Sequence, residues 1–291
     1  MGDEIADFDN IWDYSNPKET EIQFRDILSR KKLEDNKSYY LQLQTQIART
    51  LSLQQKFDEA HQVLDEVETQ LTEDYSLEWV RYLLERGRSF NSDNQKEQTV
   101  HLFKQAYEIS SNLGLDFFTV DAAHMLGITD QPEFLIEWNE KAIQIAENSS
   151  SERARNWQGS LLNNLGWTHH DKQEHEVALG LFEKALQFRE KQGKLETILI
   201  AKWSVARTYR SLNRIDEAIK LQLEIKSERS INDLALGGYN YEELGELFLL
   251  KNDKNQAKDY FKVAFEELSK DIWLTKNESQ RLERIELLSS S

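Results

Sequence analysis

Two stretches of the chain decide the fold: NLGWTHHDKQEHEVALGLFEKA, residues 164–185, and ELGELFLLKNDKNQAKDYFKVA, residues 243–264. In both, a Leu-Gly pair is followed by alanine 12 residues after the glycine, phenylalanine 16 residues after it and alanine 19 residues after it. The internal spacings agree residue for residue. Agreement over this many positions indicates a repeat within the sequence.

The same spacing occurs six times along the chain. The small residue (Gly or Ala) that begins each copy stands at positions 48, 87, 123, 166, 206 and 245, so successive copies are 39, 36, 43, 40 and 39 residues apart. The third copy is irregular, because Asn139 holds the position of the phenylalanine and Pro132 opens the second half of the copy early. The sequence therefore predicts an array of similar structural units.

The pattern resembles the tetratricopeptide repeat, whose W-x2-L-G-x2-Y and A-x3-F-x2-A signature describes two antiparallel helices. The resemblance covers residues 38–268. It implies an all-α fold, a right-handed superhelical α-solenoid of about six helix hairpins with flanking capping helices. Small residues such as Gly166 and Ala178 then let the two helices of a hairpin approach closely. Because the steps of 36 to 43 residues exceed the roughly 34 of the family, the repeats also resemble the drawn-out repeats of bacterial receptors for signalling peptides.

Composition agrees with a helical protein and limits its function. The chain has 291 residues, two prolines and no cysteine, which excludes disulfides and thiolate chemistry. Its net charge of -16 disfavours nucleic acid as a partner. No run of about 18 apolar residues is present, and the first residues are acidic where a secretory signal needs a basic start. We therefore expect a cytoplasmic protein without a membrane partner.

The sequence predicts three parts. Residues 1–37 are an acidic-aromatic segment with a capping helix, residues 38–270 are the repeat array, and residues 271–291 are a C-terminal capping helix and tail. Within the first part, DFDNIWDY at residues 7–14 alternates acidic with aromatic or aliphatic side chains. We expect it to pack on the first helices as a cap. The alternative is that it mimics a ligand and lays its acids near Arg49 and Arg88.

Ligands of tetratricopeptide proteins commonly lie on the concave surface formed by the first helix of each pair. Positions three before, one after and four after the small residue share one face of that helix. The candidate peptide- or protein-binding residues are Arg49, Arg88, His124, Asn163, Trp167, His170, Trp203, Arg207 and Arg210. Arginine pairs with carboxylates, tryptophan offers apolar area and asparagine can hold a peptide backbone. The predicted partner is a protein or extended peptide with acidic and apolar residues. The alternative is that the two tryptophans pack between neighbouring repeats.

Three histidines and several carboxylates between His169 and His175 raise the alternative of a metal-dependent enzyme. In the alignment of the copies, His169 occupies an interior position of the hairpin. His175-Glu176 begins like the zinc motif H-E-x-x-H, but Leu179 stands where the second histidine is needed. The sequence therefore favours a structural role for these histidines. We predict no metal, no cofactor and no catalytic residue.

The preferred interpretation is a non-catalytic adaptor or scaffold that binds proteins or peptides. A peptide-responsive signalling regulator is the alternative within the same class of function. A metal-dependent enzyme is the alternative from another class.

Overall fold

The helix hairpin is the structural unit of this protein. The computed structural model describes residues 7–29, 36–72, 74 and 76–290, and in this part of the chain all regular structure is helical. Six successive hairpins each consist of a first and a second helix joined by a short turn. The predicted all-α repeat fold with about six hairpins is therefore confirmed.

The chain divides into two compact units, Met1–Trp157 and Gln158–Ser291, called unit 1 and unit 2 below. The helices of unit 1 are α1 Pro17–Ser29, α2 Lys37–Leu53, α3 Phe57–Glu68, α4 Leu77–Ser92, α5 Val100–Asn112, α6 Asp116–Thr129, α7 Leu135–Asn148 and α8 Glu152–Arg155. The first three hairpins are formed by α2 with α3, α4 with α5, and α6 with α7. Short 3-10 helices, Phe8–Asn10 and Lys96–Gln98, precede α1 and α5.

Unit 2 contains the other three hairpins. Its helices are α9 Gln158–Asp171, α10 His175–Gln192, α11 Leu195–Ser211, α12 Ile215–Ile231, α13 Gly238–Leu250, α14 Lys254–Leu268, α15 Ile272–Asn277 and α16 Ser279–Ser290. The fourth to sixth hairpins are formed by α9 with α10, α11 with α12, and α13 with α14. None of the helices in the described part of the chain combines the length and the apolar character that crossing a membrane requires.

Five of the six hairpin turns share one backbone conformation. The residue seven after the small residue has a φ of 59 to 62° in Gln55, Asn94, Gln173, Asn213 and Asn252. The following residue donates its N–H to a carbonyl five residues earlier, as from Glu174 to His169 at 3.0 Å. This bond closes the end of the first helix and reverses the chain. In the third hairpin Asp130 has a φ of -72°, so this turn is irregular as predicted. The prediction that Pro132 opens the second helix early is wrong, because Pro132 lies in the turn and α7 begins at Leu135.

Close contact of the two helices depends on the small residue of the first. A Cβ atom added to Gly166 would lie 2.6 Å from the ring of Phe182, which is completely buried. Any larger side chain therefore forces the helices apart or displaces the ring. The same contact of glycine with phenylalanine joins Gly87 to Phe103 and Gly245 to Phe261.

The third hairpin replaces this contact with a polar one. Asn139 is fully buried, and its Nδ2 donates to the carbonyl oxygens of Gly127 at 2.9 Å and Leu135 at 2.8 Å. A Cβ added to Gly127 would lie 2.5 Å from that nitrogen. Asn139 therefore packs against Gly127. This glycine lies one helical turn after Ala123, which the sequence had indicated as the small residue of this copy.

The helices before and after the array join its cores. On one side α1 packs on α2 and contributes Phe24 and Ile27 to the hydrophobic core of unit 1. On the other, α16 packs on α14 and contributes Leu282 and Ile285 to the core around Phe261. Both helices thus cover apolar surface of the first and of the sixth hairpin.

Candidate functional site

Unit 1 contains a cavity of about 390 Å³ on the faces of its three first helices, α2, α4 and α6. The predicted residues Arg49, Arg88 and His124 all line it. Side chains from residues 9, 12 and 14, which precede α1, line it as well. We call this space the unit 1 cavity. The helix faces selected from the sequence are therefore brought together in this unit.

The acidic-aromatic segment, residues 7–14, forms one wall of the unit 1 cavity. Phe8 is only 4% exposed and belongs to the hydrophobic core of unit 1. The Trp12 ring stacks on Tyr14 with 4.6 Å between centroids, and its Nε1 donates to Gln46 Oε1 at 3.0 Å. The segment therefore packs on the first helices and lines the cavity at the same time.

Asp9 of this segment is held by two arginines. Its Oδ2 accepts hydrogen bonds from Arg81 Nη2 at 2.6 Å and from Arg153 Nη1 at 2.8 Å. Burial alone would raise the pKa of Asp9, but the two cations hold it below its usual value. The sequence hypothesis had placed the acids of the segment near Arg49 and Arg88. The structure corrects this, because α4 and α8 bring Arg81 and Arg153 to Asp9 instead.

Arg81 and Arg153, called the arginine pair below, rest on aromatic rings. The Arg81 guanidinium lies 5.0 Å from the ring centroid of Phe118, and Gln42 Oε1 accepts from its Nε at 3.1 Å. The Arg153 guanidinium lies 3.7 Å from the ring centroid of Phe117. Stacking and hydrogen bonding fix both planes so that their N–H groups face one carboxylate.

The predicted residues Arg49 and Arg88 contact carboxylates of neighbouring hairpins. Arg88 donates to Glu85 Oε1 at 2.7 Å and to Asp121 of the third hairpin. Arg49 Nε lies 3.8 Å from Glu85 Oε2 of the second hairpin. Burial alone would lower the pKa of Arg88, but Asp121 and Glu85 raise it above its ordinary value. These arginines therefore form ion pairs that connect one hairpin to the next.

His124 lies beside this ion-pair network. Burial lowers the pKa of His124 to about 4, and the charges of Asp121 and Arg88 act on it in opposite directions. Its ring centroid lies 5.0 Å from that of Trp157. The imidazole is therefore neutral near pH 7 and contributes an aromatic, polar surface to the cavity.

In unit 2, the predicted residues Asn163, Trp167 and Trp203 lie on neighbouring first helices. The Trp167 ring is 4.9 Å from Phe182 of its own hairpin and 5.9 Å from Trp203 of the next. The Ser204 hydroxyl donates to Asn163 Oδ1 at 3.1 Å. Both tryptophans are half-buried. They pack between hairpins, as the alternative interpretation had it, and still present part of their surface.

Arg207, Arg210 and His170 form a polar group in unit 2. Arg210 donates to both carboxylate oxygens of Glu243, from Nε at 2.7 Å and from Nη2 at 2.8 Å. Arg207 donates to the Ser211 hydroxyl at 2.7 Å, and His170 Nε2 lies 2.9 Å from the same hydroxyl. Burial, with a further contribution from Arg207, lowers the pKa of His170 to about 4. This group is therefore cationic only through its arginines near pH 7.

The acids at the end of the series of first helices are also paired. Glu242 Oε2 accepts from Arg281 at 2.6 Å, and Glu246 accepts from Arg284. Both arginines belong to α16, the helix that packs on the sixth hairpin. These two carboxylates therefore form ion pairs that hold α16 against the sixth hairpin, and they are not available to a ligand in the way that Arg49 is.

A second pocket, of about 400 Å³, lies within unit 2 and is mainly apolar. Ile200 and Trp203 of α11 line it together with Tyr239 and Asn240 of α13. Ile200 is 56% exposed and Tyr239 is 42% exposed. We call it the unit 2 pocket. Exposed apolar side chains around a concavity are typical of a binding surface.

Residues one helical turn before the predicted ones also line these faces. The position six before the small residue lies on the same face as the three positions chosen. In the six copies it is occupied by Gln42, Arg81, Phe117, Ser160, Ile200 and Tyr239. Arg81 and Phe117 line the unit 1 cavity, and Ile200 and Tyr239 line the unit 2 pocket. Extending the same periodicity would have found them.

The acidic partners of the arginines were missed for a different reason. Glu85, Asp121 and Glu243 each stand two residues before the small residue of their copy. All three are buried, with 3 to 6% exposed surface. In a chain with 52 acidic residues, nothing in the sequence separates these buried carboxylates from exposed ones.

The histidines between His169 and His175 have local contacts. His169 Nδ1 is hydrogen-bonded to Glu174 Oε2, and the ring centroids of His170 and His175 are 4.7 Å apart. In the ranges that the structure describes, no three His, Asp or Glu side chains converge as a metal-ligand set. These contacts hold the end of α9 against the start of α10.

Comparison with known families identifies the repeat. Residues 159–191, which contain most of α9 and α10, match the family model described as tetratricopeptide repeat. None of the curated protein sequences matches the chain significantly. The match falls on the first of the two stretches that decided the fold.

Solved structures share the fold over nearly the whole chain. The apo form of RapI has a TM-score of 0.71 at 17% identity, covering 99% of this chain and 82% of that one. A Rap protein complexed with Competence and Sporulation Factor has a TM-score of 0.61 at 17% identity, covering 92% and 77%. A signal-transduction ATPase with a tetratricopeptide repeat sensor from Pyrococcus horikoshii has a TM-score of 0.69 at 15% identity, covering 91% and 42%. The predicted resemblance to tetratricopeptide-repeat proteins, including the bacterial receptors for signalling peptides, is therefore confirmed.

Proposed function

We propose that this tetratricopeptide-repeat protein is a non-catalytic, cytoplasmic adaptor that binds peptides or segments of other proteins on its first-helix faces. The main support is the acidic-aromatic segment in the unit 1 cavity, where Asp9 binds two arginines and Trp12 donates to Gln46. A cavity that accommodates one short acidic and aromatic segment has the chemistry to accept another.

The ligand chemistry follows from the two concave surfaces. The unit 1 cavity offers arginines and aromatic rings, which suit a carboxylate with a neighbouring aromatic side chain. The unit 2 pocket offers Ile200, Trp203 and Tyr239, which suit an apolar side chain. Arg88 and Arg210 already bind buried carboxylates, so in this proposal they shape the surface. Arg49, Arg81 and Arg153 then make the charged contacts.

A peptide-display selection against the whole chain tests the proposal. The variant Arg49→Glu/Ile200→Asp changes one residue of each concave surface, both on first helices. Selected peptides should bind it at least tenfold more weakly than the original chain, which corresponds to about 1.4 kcal/mol. Fluorescence anisotropy with labelled peptides measures this difference.

A matched control carries the same changes elsewhere. Arg25→Glu/Val177→Asp alters the net charge equally, on α1 and on the second helix α10. Val177 is 51% exposed against 56% for Ile200, and the Arg25 side chain is 48% exposed against 22% for Arg49, so equal helicity of both variants is checked by circular dichroism. Peptide affinity should be unchanged in this control. Equal weakening in both variants, or in neither, would remove the first-helix faces as the binding surface.

A peptide-responsive signalling regulator is the second candidate. It is favoured by the structural likeness to RapI and to a Rap protein in complex with Competence and Sporulation Factor. Under this proposal a peptide alters the affinity for a second protein, whereas a simple adaptor binds each partner independently. Capturing partner proteins with and without a saturating selected peptide distinguishes the two.

A further inference from the structure

We infer that the acidic-aromatic segment, residues 7–14, is a displaceable internal ligand, and that the arginine pair accepts the carboxylate of an incoming peptide when the segment leaves. The inference rests on the proposed function, since it specifies the ligand and the regulation of the unit 1 cavity. In the absence of a partner, residues 7–14 occupy the unit 1 cavity, and a partner peptide has to displace them in order to bind.

The arginine pair has anchors outside the segment. With the segment in place Arg81 is 6% exposed and stacks on Phe8 of the segment at 5.0 Å, but Gln42 of α2 and the Phe118 ring of α6 also hold it. Arg153 stacks on Phe117, also of α6. When the segment departs, both guanidinium groups keep a stacking ring of α6 and Arg81 keeps its hydrogen bond to Gln42, as a preformed binding site requires.

The arginine pair also requires an anion. Within the described residues, Asp9 is the carboxylate that lies within 4.0 Å of the Arg81 guanidinium. A nearly buried cation that loses its partner is strongly destabilised. Release of Asp9 is therefore favourable when another carboxylate takes its place, which selects for acidic ligands.

Loss of Asp9 also makes the net charge of the residues that line the unit 1 cavity more positive, which favours an acidic ligand. With Asp9 in place, four arginines face three carboxylates; without it, four face two, and these four are Arg49, Arg81, Arg88 and Arg153. Glu85 and Asp121 are the carboxylates that remain. A strongly acidic chain thus contains a locally cationic cavity once the segment is displaced.

The anchors of the segment define the class of ligand. Phe8 is buried next to Asp9, and Trp12 is half-buried, whereas Asp13 and Tyr14 are exposed. The expected ligand therefore has an aromatic residue directly before an acidic one and a second aromatic residue three positions after the acid. Because the internal segment is tethered, its effective concentration is on the order of millimolar, so a free peptide has to compete against it.

The experiment uses a fluorescein-labelled peptide with the chain's own residues 7–15, DFDNIWDYS, and the full chain. The variant Asp9→Asn removes the carboxylate from the tethered segment but leaves the arginine pair intact. The labelled peptide should bind this variant at least tenfold more tightly than the original chain. A peptide carrying the same Asp9→Asn change should bind neither.

Two further variants separate this inference from a purely structural role of the segment. Asp13→Asn, an equivalent change at an exposed aspartate, should leave peptide binding as weak as in the original chain. Arg153→Gln combined with Asp9→Asn should abolish binding, and Arg153 is half-exposed, so the fold is retained. Circular dichroism establishes equal helicity of all variants.

Failure of the inference differs from failure of the proposed function. If the labelled peptide binds Asp9→Asn no better than the original chain, the segment is a fixed cap and the inference is overturned. The display-selected peptides can still bind the first-helix faces in that case. Equally tight binding of those peptides to the original chain and to Arg49→Glu/Ile200→Asp is what would overturn the proposed function.

Discussion

Arg210 of the fifth hairpin donates two hydrogen bonds to Glu243 of the sixth, at 2.7 and 2.8 Å. Arg88 of the second hairpin donates one hydrogen bond to Asp121 of the third. In both cases the arginine lies on the first-helix face, and the acid stands two residues before the small residue of the following copy. The charged residues of this face thus connect hairpins as well as line its cavities.

Removal of Glu243 should therefore destabilise the protein. The Glu243 side chain is only 4% exposed, and Glu243→Ala leaves Arg210 without its partner. We expect the free energy of unfolding, measured by urea denaturation, to fall by about 3 kcal/mol. The control Glu196→Ala breaks the pair with Arg229 at a 53% exposed carboxylate, and it should change the value by less than about 1 kcal/mol. Similar losses in both would contradict the tie between hairpins.

Two glycines of the fourth hairpin should respond in opposite ways to the same substitution. Gly166→Ala places a methyl group against the Phe182 ring and should lower the free energy of unfolding by about 1–3 kcal/mol. Gly180→Ala meets no atom within 4 Å and, because alanine favours helix, should raise it by about 0.5–1 kcal/mol. Thermal and urea denaturation of the two single variants provide the comparison. A loss at both positions would show that the contact with Phe182 is not the cause.

His124 should make the protein sensitive to acid. Burial lowers its pKa to about 4 from 6.5, so the unfolded chain takes up this proton first as the pH falls. The contribution of neutral His124 is complete above pH 6.5 and is lost progressively towards pH 4, at about 1.4 kcal/mol for each unit of pKa difference. It amounts to about 3 kcal/mol in total.

The variant His124→Gln isolates this effect from the titration of carboxylates. Its free energy of unfolding should fall less steeply than that of the original chain between pH 6.5 and 4, as measured by urea denaturation at several pH values. Asp121 and Arg88, the charged neighbours of His124, are unchanged in the variant. Parallel pH profiles would show that the pKa of His124 is the same in the folded and the unfolded chain.

The hairpin turns offer a stabilising substitution. Gln173 has a φ of 62°, which strains any residue with a Cβ atom, so Gln173→Gly should raise the free energy of unfolding by about 1 kcal/mol. At the equivalent position of the third turn, Asp130 has a φ of -72° and accepts a hydrogen bond from Trp138 Nε1 at 2.9 Å. Asp130→Gly should therefore be destabilising, as denaturation midpoints will show. Stabilisation at both positions would point to a cause other than the left-handed conformation.

The fold was predictable because one spacing recurs in six copies. Gly166 with Phe182 and Gly245 with Phe261 repeat the same contact, and each copy supports the assignment of the others. The contact made by Asn139 could not be predicted in this way. The alignment fixed its place in the hairpin, but only the structure shows that it covers Gly127, since a hydrogen bond to a carbonyl has no counterpart in an apolar pattern.

The candidate site was predictable only in part. Helical periodicity identified a face on which Arg49, Arg88 and His124 do line one cavity. Helical periodicity could not predict that Asp9 binds Arg153. The two residues are 144 positions apart, and the sequence around an aspartate does not indicate which arginine it will contact. Contacts of this kind depend on tertiary structure and leave no local signal.

The ties between hairpins also restrict how this array can evolve. Arrays of uniform repeats gain and lose copies readily, because each interface is interchangeable with the next. Here, deletion of the third hairpin would strand Arg88 without Asp121, and duplication of the fifth would place a copy that lacks Glu243 against Arg210. Each event removes the buried acid that an arginine of the preceding hairpin contacts, and Arg88 would then keep only Glu85 of its own helix. At these junctions the order and number of repeats are therefore fixed by charge, and the chain can diverge there only by substitution.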